Sequence, residues 1–206
     1  MVVLERTRFI CQIETPVEYK SNFFSLVTDW DMILAMSREL LVLRHAKSAW
    51  NTSAASDFER PLAKRGRRDA PRVGRFLSNQ GLAPDYVVSS PAQRAKETVL
   101  AVCGEMGIGP DKIHWDPRIY HGYAGSLLTV LNEAPANAAR VMIAGHNPGL
   151  ENLVQNLCNH DVPMPDDYKL MPTAAVAHLE ILSPWEDLEG GLARLLSLTR
   201  ARSLSD

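Results

Sequence analysis

The sequence predicts an α/β fold: a three-layer sandwich with a mostly parallel central sheet and helices on both faces. Residues 40–43 (LLVL) form a short, unbroken apolar run, which is typical of a strand buried on both faces. Such runs alternate along the chain with segments of helical periodicity. The length of 206 residues suits one domain, and 22 basic against 24 acidic residues give no reason to expect a nucleic-acid partner.

The individual elements follow from periodicity and from turn residues. The predicted strands cover residues 40–43, 85–89, 112–115, 140–144 and 174–182, the last of them at a sheet edge. The predicted helices cover residues 64–80, 91–106, 126–132 and 148–157, and residues 186–206 are expected to be partly helical. Ser90-Pro91 and Asn147-Pro148 each follow a strand, a pattern that predicts a side-chain N-cap with proline in the first turn.

The two ends of the chain differ in character. Residues 1–35 show no clean period and are expected to be an N-terminal extension, either disordered or not native, with a helix packed on the domain as the alternative. Residues 36–206 are expected to form the single domain. Three widely spaced cysteines, with no paired spacing, predict reduced thiols in a cytoplasmic protein. No apolar run is long enough for a bilayer, so neither a membrane partner nor export is expected.

Residues that can handle an anion stand at the ends of three predicted strands. The first strand leads into Arg44 and His45, the second into Arg94 in the first helical turn, and the fourth into His146. Parallel strands end at one edge of a sheet, so neighbouring strands would direct all four side chains into one pocket. Helix N-termini add a positive field there. The combination suits binding of a phosphoryl group and attack on it by a neutral imidazole.

Four ordered motifs strengthen this interpretation: RHAKS at 44–48, DFERPL at 57–62, SSPAQRAKET at 89–98 and GHNPG at 145–149. Together they resemble the histidine phosphatase superfamily, and most closely its small SixA-like phosphohistidine phosphatases, over roughly residues 38–183. The resemblance implies a phosphoglycerate mutase-like sandwich and a metal-independent phosphatase that needs no cofactor. Ala46 stands where many members have glycine, a small-for-small change common in the SixA-like branch.

The resemblance also implies a role for each residue at the strand ends. His45 would be the nucleophile, taking the phosphoryl group as a phosphohistidine intermediate that water then hydrolyses. Arg44, Arg94 and His146 would grip the phosphoryl oxygens, and Asn51 matches a position near the phosphate. Physical chemistry agrees, because nearby arginines lower the pKa of a histidine and a backbone carbonyl can fix its tautomer.

The general acid is left open between Asp57 and His121. Asp57 lies in the loop after the nucleophile and could equally pair with Arg60, whereas His121 stands where the mutase branch has glutamate. A phosphoramidate nitrogen leaves more easily than an alkoxide, so an imidazole leaving group needs less proton donation. The expected substrate is therefore phosphohistidine in a protein partner.

Two other functions remain open on the sequence. The chain could be a phosphomonoesterase for a small phosphate ester, such as a sugar phosphate or a nucleotide, or it could be a non-catalytic phosphate-binding module. Short connections between Arg94 and His146 leave little room for a lid and predict a shallow pocket, which favours a protein substrate. The presence of both His45 and His146 argues against a non-catalytic module.

Overall fold

A computed structural model describes residues 38–50 and 52–204, so the predictions for residues 1–35 and for Asn51 lie outside it. The strands of the described part are β1 Arg38–Arg44, β2 Tyr86–Ser89, β3 Ile113–Trp115, β4 Arg140–Gly145, β5 Ala175–Ile181 and β6 Ala193–Arg200. Its α-helices are α1 Lys64–Asn79, α2 Gln93–Glu105, α3 Ala124–Asn132 and α4 Gly149–Leu157. None of the helices in this part of the chain is both long and apolar enough to cross a membrane.

The strands form one mixed sheet in the order β3-β2-β4-β1-β5-β6. The first four strands of this order are parallel, and β5 and β6 are antiparallel to their neighbours. The predicted, mostly parallel sheet is therefore confirmed. β1 and β4 are adjacent at its centre, with Arg44 opposite Gly145 and the amide of His45 donating to the Gly145 carbonyl over 3.0 Å. This register places the ends of the two histidine-bearing strands side by side.

Helices cover both faces of the sheet, as the three-layer prediction requires. Leu40 and Val42 of β1 belong to a core with residues of α3 and α4, whereas Leu41 and Leu43 belong to a core with residues of α1 and α2. All four side chains are fully buried, and burial of an aliphatic side chain of this size contributes about 1.5–3 kcal/mol. The unbroken apolar run of β1 thus reflects a strand with a hydrophobic core on each side.

The predictions for the C-terminal part are correct only in part. Residues 186–206 are partly helical as expected, with 3-10 turns at Trp185–Asp187 and Ala201–Ser203, but the strand β6 between these turns was not predicted. The edge position predicted for residues 174–182 is wrong, because β6 covers that side of β5. An irregularity in the β5–β6 pairing sets His178 opposite Ser197 and Leu179 opposite Leu195, so the extra residue breaks the alternation by which β6 could be recognised.

The predicted N-caps are also wrong. Helix α2 begins at Gln93 and α4 at Gly149, and no side chain caps either helix. The Ser90 hydroxyl instead lies 2.9 Å from a ring nitrogen of His146, and the Asn147 amide donates to a backbone carbonyl over 3.0 Å. Ser90 is therefore paired with another strand-end residue, and Asn147 is paired with a backbone carbonyl that is distant in sequence.

Candidate active site

The structure brings together the two histidines that the sequence places on different strands. Their ring centroids are 5.0 Å apart, and the ring planes are tilted by 52°. His45 follows β1 and His146 follows β4, so the central pairing of these strands accounts for their proximity. His45 is 9% exposed, and the guanidinium Nε of Arg94 lies 3.4 Å from its Nε2. Two imidazoles and one arginine thus face a common point beyond the sheet.

The hydrogen bonding of His45 leaves one ring nitrogen suited to attack. Its Nδ1 lies 2.8 Å from the carbonyl oxygen of Ala46 and donates to it. The lone pair is then on Nε2, which faces Arg94. Burial lowers the pKa of His45 to about 4, with the charges of Arg94, Arg44 and Arg60 acting in the same direction and the bond to Ala46 opposing them. His45 is therefore a neutral imidazole at physiological pH, and burial contributes more to this than the arginines.

His146 is held by a buried serine. Its Nε2 lies 2.9 Å from the hydroxyl oxygen of Ser90, which is fully buried and which also accepts from the amide of Ala92 over 3.3 Å. Burial lowers the pKa of His146 to about 3, and the neighbouring His45 and Arg94 add to the shift. Ser90 fixes the tilt of a second neutral ring, which can contribute a hydrogen bond to a bound anion without carrying charge.

Asp57 is paired with several donors and is held in its ionised form. Its carboxylate accepts from Arg94 over 3.0 Å, from Arg60 over 2.5 Å and from the hydroxyl of Tyr120 over 3.0 Å, and its carbonyl accepts from Arg94 over 2.6 Å. Burial alone would raise the pKa of Asp57, but the hydrogen bond from Tyr120 and the charges of Arg94 and Arg60 lower it overall. At neutral pH this carboxylate orients Arg94 and has no proton to donate.

Arg44 is tied to a different part of the chain. Its Nη1 donates to the carbonyl of Met171 over 2.7 Å, and the Asn147 amide donates to the same oxygen over 3.0 Å. The amide of Met171 donates in turn to Glu151 over 2.8 Å. The Nε of Arg44 is buried and has no hydrogen-bond partner among the described residues. The Met171 peptide therefore fixes Arg44 beside His45, where its charge reaches the ring.

A cavity of about 380 Å³ opens beside His146. Three predicted site residues line it, namely Arg94, His121 and His146, whereas Arg44 and His45 are not among its lining residues. Residues 121–123, which belong to the connection between Arg94 and His146, form one wall of the cavity. This connection therefore contributes more to the pocket than the sequence predicts. Among the described residues no group of three or more histidine, cysteine, aspartate or glutamate side chains could hold a metal ion.

His121 adopts a left-handed backbone conformation with a φ of 67°, and its ring centroid lies 3.9 Å from that of Tyr120. Its position on the cavity wall is consistent with the predicted proton donor, a role that stays a prediction. Helix α4 starts close to this wall: a Cβ at Gly149 would collide with the carbonyl of Gly122. Only glycine allows the helix to approach the 121–123 segment this closely.

Several residues of the site were missed or misread from the sequence. Ser90 was interpreted as a helix cap, although the same polar residue before proline could have indicated a partner for His146. No sequence pattern identifies Tyr120, because its hydrogen bond to the Asp57 carboxylate depends on the folded position of the loop that carries Asp57. Met171 acts through its backbone, so no side-chain pattern could have identified it.

The depressed pKa of His45 predicts a pH-dependent stability. At pH above 6.5 the imidazole is neutral in both the folded and the unfolded chain, but below that value the unfolded chain takes up the proton first. The free energy of unfolding therefore decreases as the pH falls from 6.5 towards about 4, by roughly 3 kcal/mol from this residue. Urea unfolding of the wild type and of His45→Gln measures the difference.

The wild type is expected to lose more stability than His45→Gln over this interval. His114→Gln, which removes an exposed ring outside the site, controls for the loss of an imidazole and should follow the wild type. Parallel stability curves for the wild type and His45→Gln would show that the fold does not disfavour the charged ring.

Comparisons with known proteins assign the chain to a family. A family model described as the histidine phosphatase superfamily (branch 1) matches residues 40–120. The uncharacterized protein Rv1276c of Mycobacterium tuberculosis is 30% identical over 158 residues, which are 75% of this chain and 96% of that protein. An uncharacterized chloroplastic protein of Arabidopsis thaliana is 30% identical over 138 residues, and the alignment spans 63% of each protein.

Solved structures agree with this assignment. A protein described as the phosphohistidine phosphatase SixA from Nakamurella multipartitia superposes with a TM-score of 0.67 and 28% identity, covering 80% of this chain and 96% of that one. A SixA structure from Agrobacterium tumefaciens gives a TM-score of 0.68 and 25% identity, covering 79% and 97%. The fold and the match to the family model together identify the protein as a phosphatase with a phosphoglycerate mutase-like fold. The chain belongs to the histidine phosphatase superfamily, in its SixA-like branch.

Proposed function

We propose that this phosphatase removes the phosphoryl group from phosphohistidine in a protein, by way of a phosphohistidine on its own His45 and without a metal ion. The Nε2 lone pair of His45 attacks phosphorus, and the P–N bond of the substrate breaks as the leaving imidazole nitrogen takes up a proton. Water then attacks phosphorus, the P–N bond to His45 breaks, and inorganic phosphate leaves, while the proton that this water releases to solvent balances the one taken up by the leaving imidazole. The net reaction consumes one water molecule and regenerates the neutral ring.

The observation that carries this proposal is the state of His45. Donation from Nδ1 to Ala46 leaves the lone pair on Nε2, and burial with three nearby arginines keeps the ring unprotonated. A neutral imidazole with a fixed tautomer is the nucleophile that a covalent transfer needs. Arg94, beside Nε2, supplies the positive charge that stabilises the phosphoryl oxygens in the transition state.

The lack of a protonated carboxyl group at Asp57 favours a leaving group that needs little help from a general acid. Asp57 is ionised and paired with Arg94 and Arg60, so it offers no proton to an alkoxide. An imidazole nitrogen departs from phosphorus more readily than an alkoxide and makes a smaller demand on a general acid. The likeness to structures described as SixA phosphohistidine phosphatases supports the same substrate class.

Trapping the intermediate tests the proposal. A protein carrying a labelled phosphoryl group on histidine is mixed with the phosphatase, the reaction is stopped in alkali, and the labelled peptide is identified by mass spectrometry. We expect the label on His45. Label on His146, or no labelled histidine during turnover, would contradict the mechanism.

The substrate class is tested separately with the same preparation. We expect kcat/KM for the histidine-phosphorylated protein to exceed that for sugar phosphates and nucleotides by at least about 100-fold. A preference for a member of the small-molecule panel would reassign the protein as a phosphomonoesterase. Binding of phosphate without turnover of any substrate would make it a phosphate-binding module.

A further inference from the structure

The described side chains of the cavity beside His146 carry little positive charge. Arg94 is the one lysine or arginine among the lining residues that the structure describes, and its guanidinium is already paired with Asp57 over 3.0 Å. His146 is neutral because its pKa is lowered to about 3, and the N-terminus of α4 at Gly149 adds only the partial charge of its backbone amides. None of these described lining residues is acidic. The remaining walls are aromatic rings, glycine and proline backbone, and the amides of Asn147 and Asn152.

We infer that this cavity is the leaving-group subsite of the phosphatase, that Tyr123 and Asn152 determine its specificity, and that it selects leaving groups without a second anionic group. The inference rests on the proposed function, because it takes the phosphoryl group to be bound between His45, Arg94 and His146. Arg94 and His146 line the cavity and also lie beside His45, where the phosphoryl group is taken to bind. The group attached to phosphorus therefore extends into the cavity.

The lining suits a planar, uncharged group. Tyr123 is 81% exposed, so its ring face is free to pack on a flat ligand such as an imidazole. Asn152 is exposed in the first turn of α4, and its amide can both donate and accept a hydrogen bond. Both residues line the cavity, whereas Asp57 and Arg60 do not, so both can contact a leaving group that occupies it.

A leaving group with its own phosphate or carboxylate is disfavoured for an electrostatic reason. Among the described residues, no lysine or arginine other than Arg94 lines the cavity, and the phosphoryl group being transferred already competes for Arg94. A second anion would therefore lose water without gaining a side-chain cation. The subsite therefore rejects bisphosphates and phosphorylated acids by missing charge rather than by size.

A matched pair of probes reports on this charge effect: 3-carboxyphenyl phosphate and its methyl ester, which differ in one negative charge. Because the ester also has the better leaving group, the contribution of the cavity is measured as the change in their ratio between variants. We expect the wild type to hydrolyse the ester at least about tenfold more efficiently, measured as kcat/KM. Asn152→Lys places a cation in the cavity and is expected to reduce this ratio at least about fivefold. Asn137→Lys adds the same charge to an exposed loop at the opposite end of β4 and should leave the ratio unchanged.

Tyr123 is tested by its effect on the ester alone. Tyr123→Ala is expected to raise KM for the ester severalfold, Tyr123→Phe to keep it, and neither to change inhibition by inorganic phosphate, which does not reach the subsite. If either aryl phosphate is not hydrolysed, the pair is compared as competitive inhibitors of phosphoprotein turnover, with the same expected ratios.

Equal efficiency for acid and ester in the wild type, or an unchanged ratio in Asn152→Lys, would overturn the inference. These outcomes are independent of the trapping experiment. Label on His45 together with an unchanged ratio would refute the leaving-group subsite alone. Absence of label on His45 together with the expected ratios would refute the covalent mechanism while the subsite stands.

Discussion

Replacing His45 with alanine is expected to lower kcat for the histidine-phosphorylated protein by at least about 10⁴-fold. The variant lacks the Nε2 lone pair, and the neighbouring ring of His146 is held differently, with its Nε2 beside the Ser90 hydroxyl. The arginines that surround the site remain, so binding of inorganic phosphate should persist. The loss in kcat is measured from the rate of phosphate release at saturating substrate.

The matched control is His114→Ala, which removes a ring stacked on Tyr86 outside the site and should retain wild-type activity. Thermal unfolding of both variants separates a chemical effect from a structural one. Added imidazole is expected to restore part of the turnover of His45→Ala, because it supplies a nucleophile where the ring was removed. Activity of His45→Ala within about tenfold of the wild type would exclude His45 as the nucleophile.

The features that could be predicted from sequence are those that a local pattern determines. The run at residues 40–43 is apolar at every position because β1 has a core on each face, and this pattern alone identifies a central parallel strand. Neighbouring positions of β1 and β4 then bring His45 and His146 together, since parallel strands end at the same edge. The fold class follows from these patterns, whereas the pairing of the two histidines also required that β1 and β4 be neighbours, which the structure shows.

The features that could not be predicted depend on partners distant in sequence. Ser90 and Asn147 have the right identity for helix caps, but the helices begin two residues and one residue too late for them, and their partners are His146 and the Met171 carbonyl. The strand β6 was missed because an extra residue in its pairing with β5 disrupts the alternation. The local pattern cannot reveal such contacts, because each outcome depends on which groups the folded chain brings into reach.

Arg94 is the residue on which these distant contacts converge. It contacts Nε2 of His45, both the carboxylate and the carbonyl of Asp57, and the cavity beside His146. Its guanidinium is nearly buried, with only 7% of the residue exposed. We therefore expect Asp57 and Tyr120 to act on the reaction through the orientation of one fork-shaped cation, whose charge is aligned before substrate binds.

Replacing Arg94 with alanine is accordingly expected to reduce kcat/KM by about 10³-fold. The phosphoryl oxygens lose their donor beside His45, and the Asp57 carboxylate loses a partner and repels the incoming dianion. Arg94→Lys keeps the charge but not the fork, and it should recover only part of the loss. Arg75→Ala, which removes an arginine paired with Glu105 on the helix surface, is the matched control and should have wild-type activity.

A double-mutant cycle with Asp57→Ala then distinguishes positioning from proton donation. If Asp57 acts by holding Arg94, its replacement slows the wild type but has little further effect, or even a favourable one, in the Arg94→Ala background, because the unpaired carboxylate is removed. If Asp57 instead donated a proton to the leaving group, the two losses would multiply. The lowered pKa of Asp57 and its contacts with three donors favour the first result, and multiplicative losses in kcat/KM would refute it.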